Sequence, residues 1–373
     1  MMIFDDLNAV SELMASAVAQ GVFPGAVLLV SRNGRILLHQ PFGLADLYRQ
    51  RPMTLDTVFD LASLTKPLAT TPVLMKMTST GALGLEDRLE DILEELSTDS
   101  KSVITIAHLL AHQSGLPDYR PFYQRLQHVE ASKRKSRLNR YLCETPLIYP
   151  VGEKTLYSDL GFMFLRWVIE RVAGTALDRV ADTDIFQPLG LTSLFFVDSS
   201  GAPVEKAFAA TEDCPWRQGV VRGKVHDENA FVVGGVDGHA GLFGTADHVH
   251  ALLNAFLLIY HGQQAGVDLP TETMRRFLNY GEKGGRALGF DRPSAKASSS
   301  GTYFSENSVG HLGFTGVSFW MDLDRRIIIV LLTNRIHPTR TNESIKAFRP
   351  VLHDSIMRNL LKAENSQPVS THK

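Results

Sequence analysis

The chain has 373 residues, of which 44% are hydrophobic and 21% charged, and its formal net charge is -2. This composition is typical of a globular protein that forms one large enzyme domain or two smaller ones. The small net charge gives no electrostatic basis for binding nucleic acid or an anionic membrane, so we expect neither as a partner.

The first predicted element is an amphipathic helix near the N-terminus, where Phe4, Leu7, Leu13, Met14 and Val18 fall close to helical spacing. Acidic residues come at the start of the chain, and no basic stretch precedes an apolar run. We therefore expect no signal peptide and a cytoplasmic protein. No stretch approaches the roughly 20 apolar residues of a membrane-spanning helix.

The next elements are a hairpin, a helix and a long helical region. Two β-rich runs in residues 25–43 flank Asn33-Gly34, a pair that favours a tight hairpin. A helix is predicted to begin close to Ser63, because Pro67 is tolerated only in a first helical turn. Residues 76 to about 260 are mostly helical in pattern.

The last third of the chain returns to strands. Residues 311–334, HLGFTGVSFWMDLDRRIIIVLLTN, predict two strands joined at Asp322–Arg325, and a final helix follows. Residues 364–373 are expected to be a disordered tail. Strands at both ends of the chain indicate an α+β fold, in which an antiparallel sheet is flanked by the N- and C-terminal helices and an all-helical domain is inserted.

This architecture suggests two domains. We assign residues 1–75 and 265–373 to the discontinuous α/β domain and residues 76–264 to the mainly helical domain. A small-molecule site is expected in the cleft between them.

Ser63 and Lys66 are the polar pair of the apolar stretch LASLTKPLAT, residues 61–70. Their spacing places both side chains on one helix face. There a lysine can activate a serine nucleophile if burial lowers the lysine pKa. Free N–H groups at the start of a helix would stabilise developing negative charge. The alternative is that Ser63 caps the helix and Lys66 is a solvated surface charge. If this motif is considered without other evidence, the alternative is the favoured interpretation.

Two further segments carry candidate site residues. YSDLGF places Tyr157 where a turn meets a helix, and its hydroxyl can act as a general base if a lysine lowers its pKa. The alternative is a core aromatic residue with its hydroxyl at the rim. HLGFTG, from His311 to Gly316, opens a strand with two glycines that let a ligand approach closely. Alternatively, the glycines make room for a neighbouring helix.

In this order, the three segments resemble the active-site signature of serine β-lactamases and penicillin-binding proteins. That signature is Ser-x-x-Lys, then Tyr-x-Asn, then Lys-Thr-Gly or His-x-Gly. The connecting sequence is similar to the class C β-lactamase and family VIII carboxylesterase branch from about Val22 to about Asn334. The similar segments include FDLASLTKPLAT, ITIAHLLAHQSGLPDY, YPVGEKTLYSDLGFMFL and GHAGLFGTADHV.

The resemblance implies a role for each matching residue. Ser63 is the nucleophile that forms an acyl-enzyme, Lys66 holds and activates it, and Tyr157 is the general base. The oxyanion hole consists of the backbone N–H groups of Ser63 and Phe314. Substrate-binding positions of the same cleft are His311, Gly313 and Asp159.

Three other residues are candidates for contacts near the substrate. The segment HQSGLPDY, residues 112–119, suggests a cleft mouth with Gln113 and Tyr119 as contacts. An ordinary Ser-Gly turn at a helix end explains the segment equally well. His239 and its neighbouring glycines are expected to form a loop beside the active site.

A metal site is the other interpretation of residues 223–244. His226, Asp227 and Glu228 are potential ligands, but their spacing matches no zinc signature. Cys143 and Cys214 are far apart and also lack metal-ligand spacing. The resemblance requires neither a metal nor another cofactor, so we expect none.

Two positions depart from the β-lactamase pattern. His311 stands where β-lactamases have a lysine, and a histidine is mostly neutral at pH 7. Asp159 stands where asparagine is usual, and its carboxylate would favour a charged Lys66 and discourage an anionic substrate. Both changes predict weak or absent penicillin hydrolysis.

The sequence therefore predicts a serine hydrolase that forms an acyl-enzyme at Ser63. Its expected substrate is an ester, an amide or a short D-amino-acid peptide. One alternative is a penicillin-binding sensor that is acylated without efficient turnover. Another is an acyltransferase that uses Ser63 with an acceptor other than water.

Overall fold

The computed structural model describes residues 7–97, 99–199, 201, 204–281, 285–294 and 296–365. Its strands are β1 (Gly25–Arg32), β2 (Arg35–Asp46), β3 (Arg51–Pro52), β4 (Phe59–Asp60), β5 (Leu194–Phe196), β6 (Asp213–Cys214), β7 (Gly219–Val220), β8 (Leu242–Gly244), β9 (Ser308–Leu312), β10 (Ser318–Asp322) and β11 (Ile327–Thr333). The main sheet has the antiparallel order β3-β2-β1-β11-β10-β9. Smaller sheets are formed by β4-β8-β5 and by β6-β7.

The α-helices are α1 (Asn8–Ala19), α2 (Thr71–Ser79), α3 (Leu89–Ile92), α4 (Ile106–Leu110), α5 (Tyr123–Leu126), α6 (Arg134–Glu144), α7 (Asp159–Ala173), α8 (Leu177–Ala181), α9 (Glu228–Val232), α10 (Ala246–Tyr260), α11 (Thr271–Leu278) and α12 (Ile345–Asn365). In the described part of the chain, no helix is both long and apolar enough to cross a membrane. Of the predicted tail at 364–373, the first two residues end α12 and the others lie outside the described residues.

The central strands β1 and β11 of the main sheet are buried on both faces. On one face, alternate residues of β1 and β11 such as Leu28 and Ile329 pack with α1 and α12. On the other face, Val27 and Val330 pack against the rest of the molecule, including α10. Side chains of successive strand residues point to opposite faces, so an uninterrupted apolar run fills both cores. The predicted antiparallel sheet with terminal helices is confirmed.

The predicted hairpin is also confirmed at Asn33-Gly34, which joins β1 to β2. Both residues have positive φ, 51° and 75°. The two-residue turn that matches strand twist requires this conformation, and Asn-Gly adopts it readily.

Residues 76–264 are mainly helical but also contain the four short strands β5 to β8. Because β8 pairs with β4, this region is joined by a sheet to the segment just before Ser63. Helix α10 lies within the same region yet packs on β1 and β11. The division into two domains at these boundaries stays a prediction.

Candidate active site

The backbone around Ser63 differs from the predicted helix start. Ser63 lies in a 3-10 turn, Ala62–Leu64, followed by a π-helical turn, Lys66–Thr70, and α2 begins only at Thr71. Pro67 lacks the N–H that a regular α-helical turn would use. Helical turns thus begin close to Ser63, as predicted, but the first of them are 3-10 and π-helical rather than α-helical.

The residue before Ser63 is held in an unfavourable conformation. Ala62 has φ of +46°, in the left-handed region that costs a residue with a side chain about 1–3 kcal/mol. The Asp60 carboxylate accepts the Ala62 N–H at 2.9 Å and the His226 N–H at 2.6 Å. Asp60 thus fixes the turn that presents Ser63.

Lys66 lies at the centre of the polar cluster and is fully buried. Its Nζ lies 3.1 Å from Ser63 Oγ, 2.6 Å from Tyr157 OH and 2.7 Å from Asp159 Oδ1. A fourth acceptor, the His239 carbonyl oxygen, lies at 3.3 Å. An ammonium has three N–H donors, so these acceptors fill its hydrogen-bonding capacity. Lys66 as a solvated surface charge is excluded.

The pKa of Lys66 and the pKa of Tyr157 both lie above their usual values. Burial lowers the pKa of Lys66, but the Asp159 carboxylate and the Tyr157 hydroxyl outweigh it, so the pKa lies above its usual value. Burial raises the pKa of Tyr157 despite the opposing effect of the Lys66 ammonium. The resting site holds a charged lysine, as expected from the Asp159 carboxylate, and a neutral phenol. Neither group has the lowered pKa that was the condition for its role as a base.

Tyr157 is positioned by the start of α7 and by His112. Ser158 caps α7 by accepting the Gly161 N–H at 3.3 Å, and its hydroxyl donates to the Pro117 carbonyl at 2.6 Å. The His112 ring lies 4.6 Å from the Tyr157 ring, and its Nδ1 accepts the Ser158 N–H at 3.0 Å. Burial holds the pKa of His112 well below its usual value, so this ring is neutral.

The end of β9 approaches the Ser63 turn closely at Gly313. A side-chain carbon added there would lie 2.9 Å from the Leu61 carbonyl oxygen and 2.4 Å from Val317 Cγ2. The Thr315 hydroxyl also donates to the Asp60 carbonyl at 2.8 Å. The glycine therefore makes room for the Ser63 segment rather than for a helix.

Most of the predicted site residues line one cavity of about 600 Å³. Those on its wall are Ser63, Tyr157, Asp159, Tyr119, His311, Gly313 and Phe314. Lys66 lies behind this wall. The roles of these residues, including the oxyanion hole at Ser63 and Phe314, stay predictions.

Gln113 and His239 do not line this cavity. The Gln113 side chain points to Thr155 Oγ1 at 3.4 Å, because its backbone is held by hydrogen bonds to His108 and Gly152. His239 is buried behind the cavity and reaches the site only through its carbonyl.

His239 is a buried cation between two carboxylates. Its Nε2 lies 2.9 Å from Asp227 Oδ1, and its Nδ1 lies 3.7 Å from Asp237 Oδ1. Burial lowers the pKa of His239, but the two carboxylates outweigh it and raise the pKa to about 10. Its charge therefore stays in place at neutral pH and fixes the loop whose carbonyl contacts Lys66.

The remaining candidate metal ligands, His226 and Glu228, are engaged in contacts with other side chains. His226 Nε2 lies 3.0 Å from Glu212 Oε2, and Arg340 bonds to both Glu212 and Glu228. Within the described ranges, no group of three or more His, Cys, Asp or Glu side chains is arranged to hold a metal ion.

Sequence reasoning missed four arginines of the cavity wall: Arg286, Arg335, Arg340 and Arg349. The Arg286 guanidinium pairs with Asp291 and lies 5.1 Å from the centre of the Tyr157 ring. These arginines come from distant segments without a local motif, so no sequence signal marked them. On the cavity wall these four guanidinium groups stand beside four carboxylates, those of Asp159, Asp227, Glu228 and Asp291.

The loop that carries His239 is packed too tightly for a side chain at Gly238. The Thr70 hydroxyl donates to the Gly238 carbonyl at 2.7 Å, and an added side-chain carbon would lie 2.1 Å from the Phe162 carbonyl oxygen. We expect Gly238→Ala to lower the free energy of unfolding by roughly 1–3 kcal/mol in denaturant titrations. Gly219→Ala, which meets nothing within 4 Å, is the control. Equal stability of the two variants would show that the loop is not packed in this way.

Comparisons with known proteins show the family of the chain. The model of the family described as Beta-lactamase matches residues 9–349. An N-acetylmuramyl-L-alanine amidase of Bacillus subtilis (strain 168) is 33% identical over 368 residues, covering 89% of this chain and 81% of the relative. A putative D-alanyl-D-alanine carboxypeptidase of Escherichia coli (strain K12) is 31% identical over 363 residues, covering 89% and 82%.

A solved structure shows the same fold. EstCE1, described as a hydrolase with promiscuous acyltransferase activity, superimposes with a TM-score of 0.74 at 22% sequence identity. The match covers 96% of this chain and 100% of EstCE1. At this identity the likeness concerns the fold alone.

Proposed function

Because the chain belongs to the Beta-lactamase family, we propose that it is a serine hydrolase that forms an acyl-enzyme at Ser63. Its proposed substrates are esters, amides or D-amino-acid peptides, with weak or no hydrolysis of β-lactams. The named relatives, an amidase and a putative carboxypeptidase, support an amide or peptide bond as the target.

The observation that carries this proposal is the placement of Lys66 Nζ within hydrogen-bond distance of both Ser63 Oγ and Tyr157 OH. A serine hydroxyl needs a neighbouring group that removes its proton. Once it has lost one proton, the pair of Lys66 and Tyr157 can receive that proton and later return it to the leaving group.

The chemistry proceeds in two halves. Ser63 Oγ attacks the carbonyl carbon while its proton passes to the Lys66–Tyr157 pair, and backbone N–H groups of Ser63 and Phe314 stabilise the oxyanion. Collapse of the intermediate breaks the bond to the leaving group, which takes the proton. Water then attacks the acyl-enzyme while the same pair accepts one proton of that water. Collapse of the second intermediate breaks the bond between the acyl group and Ser63 Oγ, and the pair returns the proton to Oγ.

The raised pKa values predict a rise of activity with pH. In the resting state, Lys66 is an ammonium and Tyr157 is a phenol. The pair can accept a proton only after it has lost one, and this deprotonated form becomes more populated as pH increases. Asp159 raises both pKa values, and its replacement should lower them. We expect Asp159→Asn to move the rising limb of kcat/KM to lower pH by about 1–3 units.

The control for this pH profile is Asp268→Asn, which removes a carboxylate whose side chain is 92% exposed. Its profile should match that of the unchanged protein. If the rising limb of kcat/KM stays in place or moves to higher pH in Asp159→Asn, then Lys66 and Tyr157 are not the groups whose titration sets that limb.

Incubation with p-nitrophenyl butyrate and, separately, with a fluorescent penicillin tests the proposed function. We expect turnover of the ester that is lost in Ser63→Ala, and weak or no hydrolysis of the penicillin. A stable penicillin adduct without turnover of either reagent would favour the sensor. No reaction and no adduct with either reagent would count against the whole proposal.

A further inference from the structure

Phe314, whose N–H is the second donor of the proposed oxyanion hole, lies in a tight turn between β9 and β10. The turn runs from Gly313 to Gly316, and the Gly313 carbonyl oxygen accepts the Gly316 N–H at 3.0 Å. The Phe314 N–H itself donates to no group among the described residues. The donor is thus unused in a residue that lines the cavity of Ser63.

The side chain of Phe314 buries little surface that could hold this backbone. The residue is 49% exposed, and its ring stacks on the His226 ring with the ring centres 5.7 Å apart. A segment with few buried apolar contacts is mobile unless hydrogen bonds fix it. The direction of the Phe314 N–H therefore depends on contacts of the main chain.

Arg335 makes such contacts with the turn. Its Nε and Nη2 donate to the Phe314 carbonyl oxygen at 3.0 and 2.6 Å. Its Nη1 donates to the carbonyl oxygens of Arg340 at 3.1 Å and Asn342 at 2.7 Å. A side-chain carbon added at Gly316 would lie 2.4 Å from Arg335 Cγ, so the arginine also packs against the end of the turn.

The charge of Arg335 is not neutralised by an ion pair in the part of the chain that the structure describes. The residue is 6% exposed, and burial lowers its pKa. The Glu343 carboxylate opposes this effect on the pKa but forms its own ion pair with Lys346. A buried cation without a paired carboxylate favours negative charge that develops nearby.

Hydrogen bonds thus hold the peptide planes on both sides of Phe314. The Gly316 N–H holds the preceding plane at the Gly313 carbonyl, and Arg335 holds the following plane at the Phe314 carbonyl. The C=O and N–H groups of a trans peptide point in opposite directions, so these contacts also set the direction of the Phe314 N–H. Loss of Arg335 would free the second plane and loosen the first.

We infer that Arg335 is a positioning residue that aims the Phe314 N–H at the oxyanion of the reaction. This inference rests on the proposed function and adds to it a residue that acts on the transition state through another residue. The pair of hydrogen bonds from one guanidinium to one carbonyl oxygen carries it.

Replacing Arg335 by methionine should lower kcat for p-nitrophenyl butyrate about tenfold to a hundredfold and leave KM nearly unchanged. Loss of a whole oxyanion donor costs about 10²–10³ in rate, and the variant keeps a donor that is only misplaced. Arg335→Lys keeps the charge and one N–H for the Phe314 carbonyl, so it should retain more of the rate. Steady-state assays measure both variants.

Arg134→Met is the matched control. The Arg134 guanidinium also donates to three main-chain carbonyl oxygens, those of Val129, Val232 and Gln127, but Arg134 does not line the cavity. Its kcat and KM should equal those of the unchanged protein.

Inhibition by phenylboronic acid separates positioning from a loss of folded protein. Its tetrahedral adduct with Ser63 places a negative oxygen in the oxyanion hole, so Arg335→Met should bind it about tenfold to a hundredfold more weakly. A partly unfolded preparation would lower kcat without changing this affinity. Equal kcat and equal boronate affinity in Arg335→Met and Arg134→Met would overturn the inference, while Ser63-dependent hydrolysis would leave the proposed function intact.

Nitrogen-15 relaxation of phenylalanine-labelled protein tests the positioning without turnover, with the Phe314 amide signal assigned from Phe314→Leu. We expect an order parameter of about 0.85 for this amide in the unchanged protein and in Arg134→Met, and a value below about 0.6 in Arg335→Met. An equally ordered amide in both variants would overturn the inference whether or not the protein hydrolyses an ester.

Discussion

Replacing Ser63 by alanine is expected to lower kcat/KM for p-nitrophenyl esters by about 10⁴–10⁶-fold, because the nucleophile is lost. Steady-state assays with the ester measure this effect. Lys66 keeps its contacts with Tyr157 and Asp159 in the variant, so the polar cluster and the fold should survive.

Ser132→Ala is the control for this experiment, since Ser132 is an exposed serine that bonds to Glu130. It should hydrolyse the ester at the rate of the unchanged protein. If Ser63→Ala keeps more than about a tenth of the activity, the loss is smaller than removal of a nucleophile produces, and another residue must attack the substrate.

Replacing Tyr157 by phenylalanine is expected to lower the same rate by about 10²–10⁴-fold, the usual contribution of a positioned acid–base group. The substitution removes the hydroxyl that lies 2.6 Å from Lys66 Nζ but keeps the ring that packs on His112. The free energy of unfolding should therefore change little, while kcat falls.

Tyr260→Phe removes a phenol that bonds to Asn279 and serves as the control. Its rate should be unchanged. Equal rates of Tyr157→Phe and Tyr260→Phe would remove the Tyr157 hydroxyl from the proton transfer and leave Lys66 as the base.

Sequence patterns predicted the secondary-structure elements that are determined by residues close together in the chain. Asn33-Gly34 marked a hairpin because two successive positive φ angles suit few other pairs. The apolar runs of β1 and β11 marked strands because both sheet faces are covered. The short strands β5 to β8 were not predicted, because each is only two or three residues long. In addition, β8 pairs with the distant strands β4 and β5.

The predicted site residues came from three separate segments, and the structure brings Ser63, Tyr157 and His311 to one cavity. The charged state of Lys66 was expected from the carboxylate of Asp159. Their contact distance of 2.7 Å could not be predicted, because it depends on how two segments 93 residues apart pack together. Arg286 and Arg349 likewise reach the cavity through the tertiary fold alone.

Mass spectrometry of protein quenched during turnover of p-nitrophenyl acetate measures directly whether Ser63 carries the acyl group. We expect a mass increase of one acetyl group, located on the peptide that contains Ser63 and absent from Ser63→Ala. Rapid ester turnover with an acetyl group on a different residue, or the same adduct in Ser63→Ala, would contradict an acyl-enzyme at Ser63.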